Sequence, residues 1–199
     1  TEGDITRYLA IYQSEQPDTV GPVRSARPYF IDLANGYDAL FIAHGYSPEA
    51  ESMLRSGVID HLNGIAHDGT LFQRASFRKA PHNSYISFEN IKRGATDNQF
   101  ELETSVAPLP FLTEDEISEI DEEQASEGTV EYISRYQVSY RYDEEAKEYT
   151  RMIGHETMVD YETDEPKKLT NILIIEAHHQ VIDAQNRKSI EITNGGNAI

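Results

Sequence analysis

Residues Gly21–Ala50, GPVRSARPYFIDLANGYDALFIAHGYSPEA, restrict the fold more than any other stretch of the chain. The segment opens on a Gly-Pro turn and places Arg24, Ser25 and Arg27 within four residues. A helical pattern follows over Ala26–Asn35, with Phe30, Ile31, Leu33 and Ala34 apolar, and Asn35-Gly36 stops it. The apolar run Ala39–Ala43 predicts a buried strand, read over Tyr37–Ala43. It ends at His44-Gly45. A second helix begins at Ser47-Pro48-Glu49. There the serine accepts from free first-turn N–H groups, proline fits the first position and glutamate complements the dipole. Gly57 fits just past its end. A loop–helix–strand–helix unit of this kind needs layered packing. It also puts cationic and small polar residues at a strand end, where open α/β sheets bind ligands.

The rest of the chain has the material for such a core. Its 199 residues suffice for one large or two small domains, and 38% are hydrophobic. Seventeen basic against 35 acidic side chains leave a net charge of −18. That balance argues against unassisted binding to nucleic acid or anionic lipid, because phosphate contacts need clustered Lys and Arg, and leaves room for a local basic pocket. No cysteine is present, so there is no disulfide framework and no thiol chemistry. No apolar run approaches the ~20 residues that span a bilayer. The chain starts at Thr1 without Met and enters a strand-like pattern at once, so its true N-terminus is expected upstream.

Along the chain, Ile5–Gln13 (ITRYLAIYQ) is rich in β-formers and predicts a central strand. Val58–Ala66 is ambiguous, broken by Asn63-Gly64, and His67-Asp68-Gly69 predicts a turn. Leu71–Arg78 reads as a strand or extended segment and Pro81–Ser84 as irregular. Ser87 is expected to cap a helix through Arg93, stopped at Gly94. Thr96–Pro110 is irregular. Thr113 with Glu116 forms a capping box in a short acidic helix and linker, which the charge run marks as a solvated connector. From Thr129 the chain reads as β-rich. Thr129–Tyr142 alternates, Asp143–Lys147 makes a hairpin loop into Tyr149–Ile153, Asn171–Ile175 is a buried strand, and Ser189–Thr193 is another before Asn194-Gly195-Gly196. The fold class is therefore α+β: a mixed α/β layered domain over 1–112, a connector over 113–128, and a smaller, mostly antiparallel β domain over 129–199.

Positive charge is scarce, so its placement is informative. Arg24 and Arg27 can hold a planar anion bidentately, helped by the N–H groups of Ser25 and Ala26. A second cluster, Arg74, Arg78, Lys79, His82 and Asn83, would complete an anion pocket if folding brings the two together. His44 sits at its edge as a hydrogen-bonding group or a base. Ser47 reads as a helix cap, and no G-x-S-x-G elbow surrounds it. Phosphate-binding glycine loops and H-E-x-x-H are absent. His178-His179 point to opposite faces of a strand, and His61 and His67 lack a ligand spacing, so neither a metal nor a cofactor is expected.

Three strings, G-P-V-R-S-A-R-P (Gly21–Pro28), H-G-Y-S-P-E-A (His44–Ala50) and F-x-R-x-x-x-R-K-A-P-H-N-x-Y (Phe72 to Tyr85), resemble the YerB-like lipoprotein family of Gram-positive bacteria. Tyr140-Arg141-Tyr142-Asp143, Tyr149-x-Arg151 and Leu169-Thr170-Asn171-Ile172 are similar to that family's C-terminal β-rich domain. The resemblance implies two domains, a lipid anchor upstream of this chain and display outside the cytoplasmic membrane. It also implies a second domain that continues into a Trp-bearing stretch absent here. It carries over no catalytic residue. A PcrA-type DNA helicase is implied as a partner by the family alone.

The expectation is thus a binding module. Arg24, Ser25, Arg27, His44, Arg74, Arg78, His82 and Asn83 would line a cleft for a small anion or a cell-envelope glycan. One rival is a cell-envelope hydrolase or transferase using His44 or His82 as acid and base, with Asp32, Asp38 or Asp68 as the supporting carboxylate. Another is a protein-interaction scaffold acting through its tyrosines.

Overall fold

Strands exist only where backbone N–H and C=O groups find a ladder partner, so β-forming composition alone does not make one. A computed structural model of the chain describes residues 6–107, 109–120, 125–133, 136–161 and 163–192. Contacts divide it into two units, Tyr8–Pro108 and Thr1–Arg7 with Leu109–Ile199. The chain is an α+β protein.

The Tyr8–Pro108 unit contains β1 (Thr19–Val20), α1 (Pro28–Asn35), β2 (Phe41–Ala43), α2 (Pro48–Arg55), β3 (His61–Asn63), one-turn α3 (Gly64–His67), β4 (Phe72–Arg74), β5 (Ser84–Ser87) and α4 (Phe88–Asn98). β2 and β3 pair in parallel, with Phe41 opposite His61 and Ala43 opposite Asn63. The other strands form an antiparallel sheet ordered β1-β5-β4, in which Arg74 lies opposite Ser84. Two apolar clusters fill the unit. α1 and α2 bury Ile31, Ala34, Ala50 and Leu54 with Phe41 and Ala43 of β2. Leu62 of β3 joins Phe72, Ile86 and Ile91 in the second. The β2–β3 pair is the seam between them, and His44 leaves from its end.

Several boundaries differ from the sequence expectation. No strand forms over residues 6–13, and Ile5 lies outside the described residues. Leu9 packs on the first cluster and Tyr12 meets the Phe88 ring, but the segment has no ladder neighbour. α1 starts at Pro28 because Arg27 is extended (φ −133°, ψ 151°) and Ala26 bridges to Tyr46. β2 and β4 are shorter than predicted, and Ser84 opens a strand. Gly94 does not end α4. The helix runs to Asn98 and closes on Gln99 in the left-handed region (φ 60°). Gly94 is buried on the same face as Ile91 and Ala95, and a Cβ there would lie 2.7 Å from side-chain carbons of both Leu62 and Leu71. Glycine thus sets how closely α4 approaches β3.

The other unit begins with α5 (Glu114–Ser118), where the Thr113–Glu116 capping box forms as predicted. β6 (Glu127–Ile133), β7 (Tyr136–Asp143), β8 (Glu148–Ile153), β9 (Glu156–Thr157) and β10 (Lys168–Leu169) follow, then a separate pair, β11 (His178–Val181) and β12 (Lys188–Glu191). The sheet is antiparallel in the order β10-β8-β7-β6, with β9 also on β8. The stretch Thr129–Tyr142 therefore contributes to two strands, β6 and β7, paired antiparallel. At the β7–β8 turn, Asp143 Oδ1 accepts from the N–H groups of Glu145 and Ala146 at 3.0 Å, and Tyr142 faces Tyr149 with ring centres 4.8 Å apart. Asn171–Ile175 is not a buried strand: Leu173 and Ile175 are exposed, and the segment has only a bridge at Ile175 in place of a ladder. Thr193 and Asn194-Gly195-Gly196 lie outside the described residues.

Gly94→Ala tests the close approach of α4. Alanine gains about 1 kcal/mol in helix propensity, but the added methyl overpacks a filled site at about 1–3 kcal/mol. The expected result is a lowered urea midpoint; a raised midpoint would show that α4 has room to spare.

Candidate functional site

The chain after β2 is fixed by two neighbours. Residues 24–26 run beside it: His44 N donates to Arg24 O (3.0 Å), Ala26 N to Gly45 O (2.9 Å) and Ser47 N to Ala26 O (3.2 Å). On the other side Asn63, buried at the end of β3, accepts at Oδ1 from the N–H groups of Gly45 and Ile65, both at 3.0 Å, and donates from Nδ2 to Gly45 O at 3.5 Å. Ser25 Oγ donates to His44 O (3.3 Å). Gly64, next in the chain, leaves room for the imidazole, since a Cβ there would collide with the His44 ring.

Both ring nitrogens of His44 are occupied. Nε2 lies 2.9 Å from Arg74 Nη2 and Nδ1 lies 2.7 Å from Ser84 Oγ. A guanidinium only donates, so Nε2 accepts, the proton sits on Nδ1, and Nδ1–H donates to Ser84. The ring edge packs on Phe72, with centres 5.5 Å apart. Burial lowers the His44 pKa below its ordinary 6.5, and Arg74 lowers it further against an opposing pull from Asp68. Arg74 is the hub. It donates from Nε and Nη2 to the Asp68 carboxylate (shortest 2.8 Å) and from Nη1 to Asn83 Oδ1 (3.2 Å). The hydrogen bond from Arg74 holds the Asp68 pKa below the usual carboxylate value. Arg24 Nη1 donates to His82 Nδ1 (2.8 Å) and Pro81 O (3.2 Å). Main-chain bonds from Val23 N to Ser84 O and Ala75 N to Asn83 O, each 2.8 Å, seat the 75–83 loop.

Arg24, Ser25, His44, Arg74, His82 and Asn83 thus belong to one continuous polar array. Arg27 does not: it is buried, donating from Nη1 to Ala26 O at 3.0 Å. The physical reason is the extended backbone at 24–27. Side chains an odd number of residues apart on extended chain point to opposite faces, so Arg24 and Arg27 cannot clasp one anion. Arg78 lies over the Phe77 ring, 6.0 Å from its centre. Ser47 caps α2, accepting from Ala50 N. Asn63, Gly64 and Ser84 escaped sequence reasoning. Asn63-Gly64 after the strand-forming His61-Leu62 was the available signal, since asparagine caps helices and here caps α3.

Elsewhere in this unit a shallow cavity of about 210 Å³ is lined by Asp38, Ile59, Asp60 and Glu101 among others, and by none of the array. Among the described residues, no three His, Asp or Glu side chains gather in a metal-binding group. No described helix is long and apolar enough to cross a membrane.

Residues 1–101 match the N-terminal domain, and residues 128–199 the C-terminal domain, of DUF3048, a protein family of unknown function. The chain is 44% identical over its whole length to YerB, a candidate lipoprotein of Bacillus subtilis (strain 168), and spans 60% of that relative. The crystal structure of the YerB protein from Bacillus subtilis superposes with a TM-score of 0.86 at 42% identity, covering 99% of this chain and 66% of that one.

Two predictions test the array as built. Asn63→Ala strands the buried N–H groups of Gly45 and Ile65 and is expected to cost about 1–3 kcal/mol per orphaned group in urea unfolding. Unchanged stability would remove Asn63 as the clamp. His44 is favoured neutral in the fold, so its contribution is complete above the unfolded pKa near 6.5. It is lost as pH falls from there through the lowered folded value. His44→Gln is expected to flatten that part of the urea-midpoint-against-pH curve; parallel curves would contradict the assigned burial.

Proposed function

The chain belongs to the DUF3048 family, and we propose that it is an extracytoplasmic, lipid-anchored binding module whose ligand face is the array of Arg24, His44, Arg74, His82 and Asn83. Its location is supported by the relative that carries a lipoprotein name. The face is supported by one observation above all: Arg74 is tied to three partners while its side chain is 40% exposed and that of Asp68 43%. Immobilising an arginine costs up to about 2 kcal/mol of side-chain entropy. An exposed ion pair returns about 0–1 kcal/mol. Stability gives little reason to hold such a group still at the surface. Preorganisation for a ligand does, because it removes an ordering cost from binding.

The tautomer of His44 favours binding over catalysis. A general base must offer a free lone pair to the proton it takes. The Nε2 lone pair of His44 is filled by Arg74, and Ser84 receives a proton from the ring rather than giving one up.

The test is a thermal-shift screen of the chain against anions, sugars and cell-wall fragments. A ligand at ~100 times its Kd stabilises by ~2.7 kcal/mol. The shift is expected to vanish in Arg24→Ala/Asn83→Ala and to persist in Arg55→Ala, whose guanidinium pairs with Glu51 on α2. Equal shifts in all three proteins would place the site elsewhere.

A further inference from the structure

On the binding face proposed above, most hydrogen-bonding valences are already used, and those left over have a definite character. A guanidinium has five N–H groups. Those of Arg74 on Nε and Nη2 go to Asp68 and His44, and one on Nη1 goes to Asn83, leaving a single donor. Asn83 uses its Oδ1 to accept from Arg74, which leaves both amide N–H groups and one oxygen lone pair. His82 accepts from Arg24 at Nδ1, so its neutral ring carries the proton on Nε2. Among the described residues, nothing accepts from the Asn83 amide or from His82 Nε2. Asp68, half-exposed, keeps acceptor capacity beyond the Arg74 contact.

The surplus is therefore four donors from Arg74, Asn83 and His82 beside acceptors on Asp68 and Asn83. Charge adds a second constraint. Residues 75–83 contribute Arg78 and Lys79 and no carboxylate, so the face is cationic in a chain of net charge −18. Surplus donors and local positive charge call for an anionic group. The exposed Asp68 oxygens call for hydroxyl donors carried apart from the anionic group, which acetate or a halide cannot supply. The same loop presents Phe77, 58% exposed with the Arg78 guanidinium 6.0 Å from its ring centre, and the ring surface left uncovered suits the C–H face of a sugar ring.

We infer that this face takes a sugar acid, a polyhydroxylated ring bearing a carboxylate. The carboxylate pairs with the donors of Asn83, His82 and Arg74, and ring hydroxyls reach Asp68.

Glucuronate, glucose and acetate separate the two halves of this assignment, because glucose lacks only the carboxylate and acetate lacks the ring. Each is titrated into the 15N-labelled chain while the Asn83 side-chain amide signals are followed, with the backbone amides of residues 75–83 as the readout shared with the Asn83→Asp variant. Glucuronate is expected to bind about tenfold or more tighter than either of the others, a difference of one decade in Kd. Asn83→Asp keeps an acceptor for Arg74, so the loop stays seated, but it removes two donors and adds a repelling charge. It is expected to weaken glucuronate about tenfold or more and to leave glucose little changed. Equal binding of glucose and glucuronate overturns the carboxylate assignment, and equal binding of acetate and glucuronate overturns the sugar. In both cases the face remains a binding site. Glucuronate that moves no Asn83 signal overturns the inference outright; if the wall-fragment shift also survives Arg24→Ala/Asn83→Ala, the face itself is not the site.

Discussion

One side-chain amide holds together everything that the site depends on. Asn63 ends β3 and joins three backbone groups from separate turns: the N–H and C=O of Gly45 and the N–H of Ile65. An acceptor that closes the start of α3 and a donor that pins the turn after β2 must come from one buried residue. Asparagine supplies both in a single planar group. Its position at the end of the parallel β2–β3 pair matters as much as its chemistry. The pair divides the two apolar clusters, so β2 and β3 are fixed by packing on both sides, and the amide transmits that rigidity to His44. The imidazole then has one place to go, the space that Gly64 leaves open.

From there the order passes outward through charge. His44 is partly desolvated, and its neutral form is the one the fold selects. A neutral ring can accept from Arg74, whereas a protonated one would repel it. Arg74 in turn is drawn by Asp68 across the His67–Phe72 turn and reaches Asn83 on the facing strand end. Each link fixes the next side chain's rotamer. The result is a polar surface that is rigid because its innermost member is buried, not because its surface ion pair is strong. The pair alone would be worth little in water.

The sequence made the local parts of this legible and the long-range parts only in fragments. Helix caps at Ser47, Ser87 and Thr113 could be read directly, because a cap is decided within four residues. The scarce positive charge clusters in two segments, 24–27 and 74–83, and folding joins members of both, Arg24 to His82, and Arg74 to Asn83 and His44. What could not be read was geometry that depends on a neighbour in space. Residues 6–13 have strand composition but no ladder partner, and Asn171–Ile175 has only a bridge at Ile175. Gly94 looks like a terminator, yet it is a contact surface for Leu62 and Leu71. Arg27 looks like the twin of Arg24 until the extended backbone turns it inward. Ser84, a small polar residue in an irregular-looking run, shows its role only when β5 sets it against His44.

The His44–Ser84 contact also shows why a list of neighbours is a poor guide to chemistry. A histidine 2.7 Å from a buried serine, with a carboxylate close by, has the membership of a nucleophilic site. Its proton is in the wrong place. In a working pair the carboxylate orients the imidazole and leaves the other nitrogen free to take the serine's proton. Here an arginine stands between the carboxylate and the ring, and because a guanidinium cannot accept, it sets the tautomer the opposite way. Asp68 therefore serves Arg74, and Arg74 silences His44 as a base while fixing it as a strut. The same residue types that would assemble a catalyst in another order assemble here a stiff, donor-rich surface, and that order of connection is the physical basis for reading the site as one that binds.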